Sequence, residues 1–302
     1  MKKSQTSRTA QAMSMFRALE SARPANVRLF SDRFASHFIS MPMRLAVRAA
    51  EKSPAVQDWL GKYIDHRWPG ARPSGIARTA FIDTALREEL ASGIAQVVIL
   101  GAGYDSRAYR IDAMKRVEVF EVDRAETQRL KQGRLAGAMK ALPSHVAFVD
   151  MDFLRQNLSE ALGSRGFMPQ RKTFFIWEGV TNYLSAETVD ATIRFIGSCA
   201  AGSVVAFTYV DQRLLDGSGV FSLSLNVVRL LKAANEPWKF GFYSEELPGY
   251  LHERGLQLTE DLGAVEYGAR FMHARKEQMS GYEFYHVATA TVGNAGAEGC
   301  QK

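Results

Sequence analysis

The residues from Gln96 to Arg107 limit this chain more than any other part of it, because an apolar strand runs directly into a glycine turn that carries an acid. The run Val97, Val98, Ile99 and Leu100 is short, apolar and mostly β-branched, which suits a strand buried on both faces of a parallel sheet. Gly101 and Gly103, with Ala102 between them, let the backbone turn tightly and approach a ligand without a Cβ in the way. A dinucleotide fingerprint would place a third glycine where this chain has Ser106, so that the next helix packs close and points its N-terminus at a pyrophosphate. Asp105 puts an anion there instead. Such an acid opposes a pyrophosphate and suits a cofactor with a positive charge, such as S-adenosylmethionine. Taken alone, the same residues also describe an ordinary tight turn.

The residues after the turn narrow the choice. Val117, Val119, Phe120 and Val122 form a second apolar strand that ends in Asp123. That acid lies roughly 20 residues beyond the turn, where nucleotide folds place a ribose-binding carboxylate. Asp123 is either that ribose acid or the cap of a helix starting near Arg124.

Strands and helices then alternate. A helix is predicted over 76–91 before the first strand and another over 127–141, with strands at 146–149, 173–177 and 204–209. Ser185 starts a further helix with Glu187 in its first turn. The pattern predicts an α/β fold with a doubly wound parallel sheet. Upstream, Pro24, Pro42 and Pro54 break a helical region into a cap over residues 1–75, expected above the carboxyl edge of the sheet. Pro69, Gly70, Pro73 and Gly75 read as an irregular connection into the main domain, 76–290. Residues 211–248 form an insertion after strand five, with a helix over 220–234 and an aromatic run through Trp238, Phe240, Phe242 and Tyr243; it is either a substrate lid or core packing. Segments 256–262 and 282–290 complete the sheet as a hairpin-like antiparallel return, and 291–302 form a small, polar, disordered tail.

Composition excludes several classes. No apolar run is long enough for a membrane helix. Cys199 and Cys300 give neither a disulfide framework nor a metal spacing, and six scattered histidines add no metal motif, which points to a reducing cytoplasm. The net charge of +6 is spread along the chain, with no basic block that would mark a nucleic-acid partner, so it reads as mild attraction for anionic substrates. Met1 to Arg17 are basic, rich in Ser and Thr and acid-free, the pattern of a solvated arm in preference to a transit peptide, and the lack of a long apolar core argues against a secretion signal.

With these residues laid out, the chain resembles the leucine carboxyl methyltransferase family of class I S-adenosylmethionine-dependent enzymes, and especially its bacterial small-molecule branch. The resemblance rests on Ala77-Arg78-Thr79 with Ile82-Asp83, on Leu100 to Arg107, and on Phe120-Glu121-Val122-Asp123. It continues through Val149 to Phe153 and Trp177 to Leu184, and spans about residues 10–290. It implies a Rossmann-like methyltransferase sheet of seven strands, the last antiparallel, with the helical cap and the lid described above. It further implies that Arg78 holds the methionine carboxylate, that Gly101, Ala102 and Gly103 turn beneath the methionine and ribose, and that Asp105 and Asp123 belong to the cofactor site, Asp123 on the ribose. Asp152 and Phe153 then flank the adenine, and Glu178 lies near the amino and sulfonium end. Arg107 either anchors a loop or faces an acidic substrate, and Arg17 is a possible stand-in for the N-terminal cofactor-binding lysine of the eukaryotic branch.

Methyl transfer from a sulfonium is an in-line displacement, so the protein mainly aligns the reactants and excludes water. A carboxylate acceptor needs no general base, whereas a phenol or alcohol does. No Ser-His-Asp or Cys-His spacing is present, which favours a carboxylate or acidic hydroxyl on a small molecule. Tyr104, Asn182, Tyr183 and Tyr209 lie at strand ends or in the turns after them and are candidates to orient the acceptor; Tyr183 fits the core equally well. Methylation of a protein C-terminus is the alternative, with a nicotinamide oxidoreductase or a non-catalytic cofactor-binding protein behind it.

Overall fold

The computed structural model describes residues 8–219, 221, 238–273 and 282–293. Its sheet comprises β1 (Gln96–Leu100), β2 (Glu118–Asp123), β3 (Val146–Asp150), β4 (Thr173–Trp177), β5 (Val204–Val210), β6 (Leu256–Gly263) and β7 (Tyr285–Val292). They run in the order β3-β2-β1-β4-β5-β7-β6, with β7 antiparallel to both neighbours. The order reverses between β1 and β4, and in open α/β sheets ligands bind at the carboxyl ends of the strands beside such a reversal. The turn after β1, the end of β2 and the loop after β4 all meet there.

Alternation within each strand divides the core in two. Val97, Ile99 and Ile176 face one side of the sheet with α4 (Ala71–Ala91), while Val98, Leu100, Phe175 and Trp177 face the other with α8 (Ala186–Gly197). Before α4 come α1 (Arg8–Ser21), α2 (Met41–Lys52) and α3 (Pro54–Arg67), which build the N-terminal cap. The remaining helices are α5 (Arg107–Arg110), α6 (Ala125–Ala136), α7 (Leu158–Gly163), α9 (Arg213–Asp216), α10 (Leu247–His252) and α11 (Ala264–Met272).

The structure corrects several expectations. The solvated arm expected over Met1 to Arg17 gives way to helix from Arg8, where α1 begins, and Met15, Phe16 and Leu19 are buried; residues 1–7 lie outside the described residues. The irregular link at Pro73 and Gly75 is helix, since α4 starts at Ala71, and the 75/76 boundary therefore cuts through it. Pro73 is tolerated in the first turn, where its missing N–H has no helical partner to lose. Gly75 lets α1 press close, because a Cβ there would lie 2.9 Å from Met13 Cε. Between β6 and β7 the hairpin-like return is replaced by α11, so the antiparallel strand reaches its place between β5 and β6 through a helix. Thr291 and Val292, assigned to the tail, end β7. The expected lid helix over 220–234 and the tail beyond 293 lie outside the described residues.

Beneath the glycine turn, β2 and α6 are joined by charge. Glu121 and Lys131 are each about 1% exposed, with Oε2 and Nζ 2.8 Å apart. Burial pushes the Glu121 carboxyl up, against the pull of Lys131. Removing one member of such a pair strands the other in low dielectric. Lys131→Met is therefore expected to lower unfolding free energy by about 3–5 kcal/mol in urea titration, and adding Glu121→Gln should restore part of that loss.

Candidate active site

β1 ends at Leu100, and the chain leaves the sheet through Gly101 at φ +66. A Cβ at Gly101 would sit 2.5 Å from Val180 Cγ2, so the loop after β4 packs directly on the turn. Ala102 N donates to Val122 O at 2.9 Å, and Gly103 N donates to Asp123 Oδ2 at 2.6 Å. Asp123 Oδ1 accepts from Arg124 N at 2.7 Å. Asp123 does not cap α6, whose N-cap is Arg124. The carboxylate thus fixes the glycine turn, and with about four lone-pair positions it keeps capacity for further donors.

Arg107 lies at the centre of a buried web. Its Nε donates to Asp83 Oδ1 at 2.8 Å and its Nη2 to Glu178 Oε2 at 3.0 Å. Its Nη1 donates to Asp105 Oδ2, and its backbone N–H to Asp105 Oδ1 at 2.7 Å. Arg110 clasps Asp83 from the other side, with contacts of 2.6 and 2.7 Å. Of the two readings of Arg107, the geometry gives the anchor. Asp105 accordingly turns into the protein towards Arg107, and its charge is spent on loop structure. Burial opposes ionisation of Asp105, but Arg107, Lys131 and Arg17 overcome it and hold the pKa at about 2.

Arg78, on α4, points to the same place and is only 4% exposed. Its Nη1 donates to Ser74 Oγ at 2.9 Å, Ser74 Oγ pairs with the Tyr267 hydroxyl at 2.7 Å, and the guanidinium lies 4.0 Å from the centre of the Tyr285 ring. Met13 Sδ of α1 touches its Nη2 at 3.9 Å. Towards Glu178 the pairing is loose: Arg78 Nε is 3.9 Å from Glu178 Oε1, and both buried atoms lack a hydrogen-bond partner. Native interiors seldom leave such atoms unmet, so their coincidence at a topological switch point marks a place for ligand polar groups. A guanidinium facing a carboxylate suits a zwitterionic amino-acid moiety, and the donor set here fits the methionine end of S-adenosylmethionine.

The other predicted residues divide clearly. Asp152 and Phe153 follow β3 on the same edge; Asp152 Oδ1 accepts from Leu154 N at 3.0 Å, and Phe153 packs partly against the core. Asn182 is buried in the turn after β4, its Oδ1 without a hydrogen-bond partner, and Tyr183 reaches Thr9 of α1 at 3.5 Å. Tyr104 stacks on Phe38 at 4.9 Å, on the cap side of the turn. Arg17 donates to Tyr104 O at 2.6 Å and to Asp32 at 2.9 Å, which places it behind the turn as a brace. Tyr209 lies on the sheet face opposite Arg78, among Phe207 and Phe242, and its hydroxyl donates to Asp261 Oδ2 at 2.6 Å. Tyr267, Tyr285 and Ser74 surround Arg78, and the sequence does not single them out. Ser74 stands one turn before Arg78, a usable signal; the two tyrosines arrive from distant elements.

Sheet order, glycine turn and cofactor-compatible pair define a Rossmann-like methyltransferase. A model of leucine carboxyl methyltransferase matches residues 10–197, and the chain belongs to that family of S-adenosylmethionine-dependent enzymes. YktD of Bacillus subtilis, named as an S-adenosyl-L-methionine-dependent methyltransferase, is 33% identical over 72% of this chain and 72% of its own. A Frankia alni protein of the same description is 35% identical over 66% and 67%. Among solved structures, a Thermobifida fusca protein described as a methyltransferase superposes with TM-score 0.56 at 16% identity, covering 91% of this chain and 97% of that one, which shows the shared fold.

The sign of a pH effect is set by Asp105. Its folded pKa of about 2 lies below the ordinary 3.8, so its contribution is fully present above the unfolded value and is lost as pH falls through the folded one. Between pH 6 and pH 2 the native protein should lose about 2 kcal/mol that Asp105→Asn does not, read as the difference between their stability-versus-pH curves.

Proposed function

We propose that the protein is an S-adenosylmethionine-dependent O-methyltransferase acting on a small-molecule acceptor, a carboxylate or an acidic hydroxyl. The observation that carries this reading is the pair of unpartnered buried atoms, Arg78 Nε and Glu178 Oε1, at the reversal of strand order. On it, Arg78 binds the methionine carboxylate, Glu178 receives the amino group, Asp123 accepts from the ribose and Asp152 with Phe153 borders the adenine. When bound, the cofactor supplies the sulfonium methyl group.

The chain's own work is alignment and exclusion of water. Asn182 and Tyr183, in the turn that follows Glu178, are assigned to the acceptor side. Lys239 N donates to Asn182 O at 2.7 Å, which brings Trp238 alongside, and the buried Trp238 Nε1 is also without a partner. An indole N–H donates only, so it suits an acceptor oxygen. Among the described residues no group is set up here to remove a proton, which favours an acceptor already ionised. Tyr104 and Tyr209, held elsewhere by Phe38 and Asp261, have no part in this proposal. The buried thiol of Cys199, pushed up to about 12 by burial, is inert and takes no part in the transfer.

Isothermal titration with S-adenosylmethionine tests the site. Arg78→Met and Asp123→Ala should each weaken binding roughly 10- to 100-fold, the worth of a charge-assisted hydrogen bond, with far-UV circular dichroism unchanged. The family's name keeps methylation of a protein C-terminus as a second reading. A lysate incubated with methyl-labelled cofactor separates the two: label in the small-molecule fraction is expected, and label in protein would favour the second.

A further inference from the structure

The hairpin of α2 and α3 carries a surface that methyl transfer does not use. On α2, Val47 and Ala50 turn inwards, while Met41 and Leu45 are 60% and 56% exposed on the opposite face, followed along it by Arg48 and Lys52. On α3, Leu60, Gly61 and Ile64 turn inwards, and Trp59 and Tyr63 stand outwards at 65% and 56%, their rings stacked with centroids 5.8 Å apart. Trp68, 42% exposed, closes the helix. Five of the nine large apolar side chains exposed among the described residues therefore lie on this hairpin and its end. Single exposed apolar residues are ordinary, but a concentration on one element marks an interaction surface.

Charge identifies the partner. Over 41–68 there are five basic and three acidic residues; Lys62 is paired with Asp58, while Arg48 and Lys52 stand exposed on the same face of α2 as Met41 and Leu45. A second copy docking face to face would set like charges together. Nucleic acid would use the charges and gain nothing from Met41 and Leu45. An anionic bilayer uses both, because Trp and Tyr settle at the headgroup level, aliphatic side chains reach the acyl boundary and Lys and Arg meet lipid phosphates. We propose that the α2–α3 face docks the protein peripherally on an anionic lipid surface.

The full-length protein is sedimented with vesicles of phosphatidylcholine alone and of phosphatidylcholine mixed with phosphatidylglycerol. Binding is expected only to the mixed vesicles, weakening as salt rises, with a blue shift of tryptophan emission. Leu45→Ser with Trp59→Ser, and separately Arg48→Glu with Lys52→Glu, should each cut vesicle binding about tenfold or more while S-adenosylmethionine titration and melting temperature stay unchanged. Equal binding to both vesicle types, absence of binding, or indifference to both double variants would overturn the proposal. So would tighter binding of a DNA duplex than of vesicles, or a dimer that the same substitutions abolish.

Discussion

One buried guanidinium sets the geometry of the site. Arg107, 3% exposed, meets Asp83 from α4, Asp105 from the glycine turn and Glu178 from the loop after β4. A buried ion without partners is costly by several kcal/mol, and here every nitrogen of the guanidinium finds a carboxylate oxygen. Three elements distant in sequence are thereby fixed to one another. Arg78 stands five residues before Asp83 on the same helix, so the clamp on Asp83 also fixes Arg78 against the turn.

Arg78 contrasts with its neighbour. Arg107 is saturated by acids, whereas Arg78 rests on a hydroxyl, a thioether and an aromatic ring, with Nε left open. A ring face and a sulfur atom hold a cation in place without consuming its strong donors. The saturated arginine builds the pocket and the unsaturated one is left to meet a ligand. Burial without complete pairing is a local violation of the rules the rest of the core obeys, which is where function concentrates.

Legibility in the sequence tracks the range of the interactions. The turn and its acid, Gly101, Gly103 and Asp123, are legible because strand, turn, helix and acid fall within a short stretch whose order is itself the signal. The strands are legible as apolar runs. Asp105 reads as facing a cofactor because its partner Arg107, two residues on, could equally face outwards; only Asp83 and Glu178, far away in the chain, draw that arginine inwards. Tyr209 misleads for a different reason. All of β5 is buried, so no polar alternation tells which residues face which side, and a strand-end position alone leaves its side undetermined. Pro73 and Gly75 read as breakers because local propensity cannot see α1 pressing on α4 or a proline confined to a first turn.

Charge is divided between the two halves of the molecule's work. Around the strand reversal, Arg17, Arg78, Arg107 and Arg110 stand against Asp32, Asp83, Asp105 and Glu178, with Asp123 as a further acid at the turn, so both signs are present. Exposed cations lie instead on α2, at Arg48 and Lys52. A web of both signs suits a ligand that carries a carboxylate, an ammonium and a sulfonium, since a pocket of either single sign would repel one end of it. Exposed cations on the cap can draw anionic partners there while solvent and salt screen them, whereas the buried web is screened much less. The two electrostatic tasks can coexist in one fold because one set of charges is buried and paired and the other is exposed.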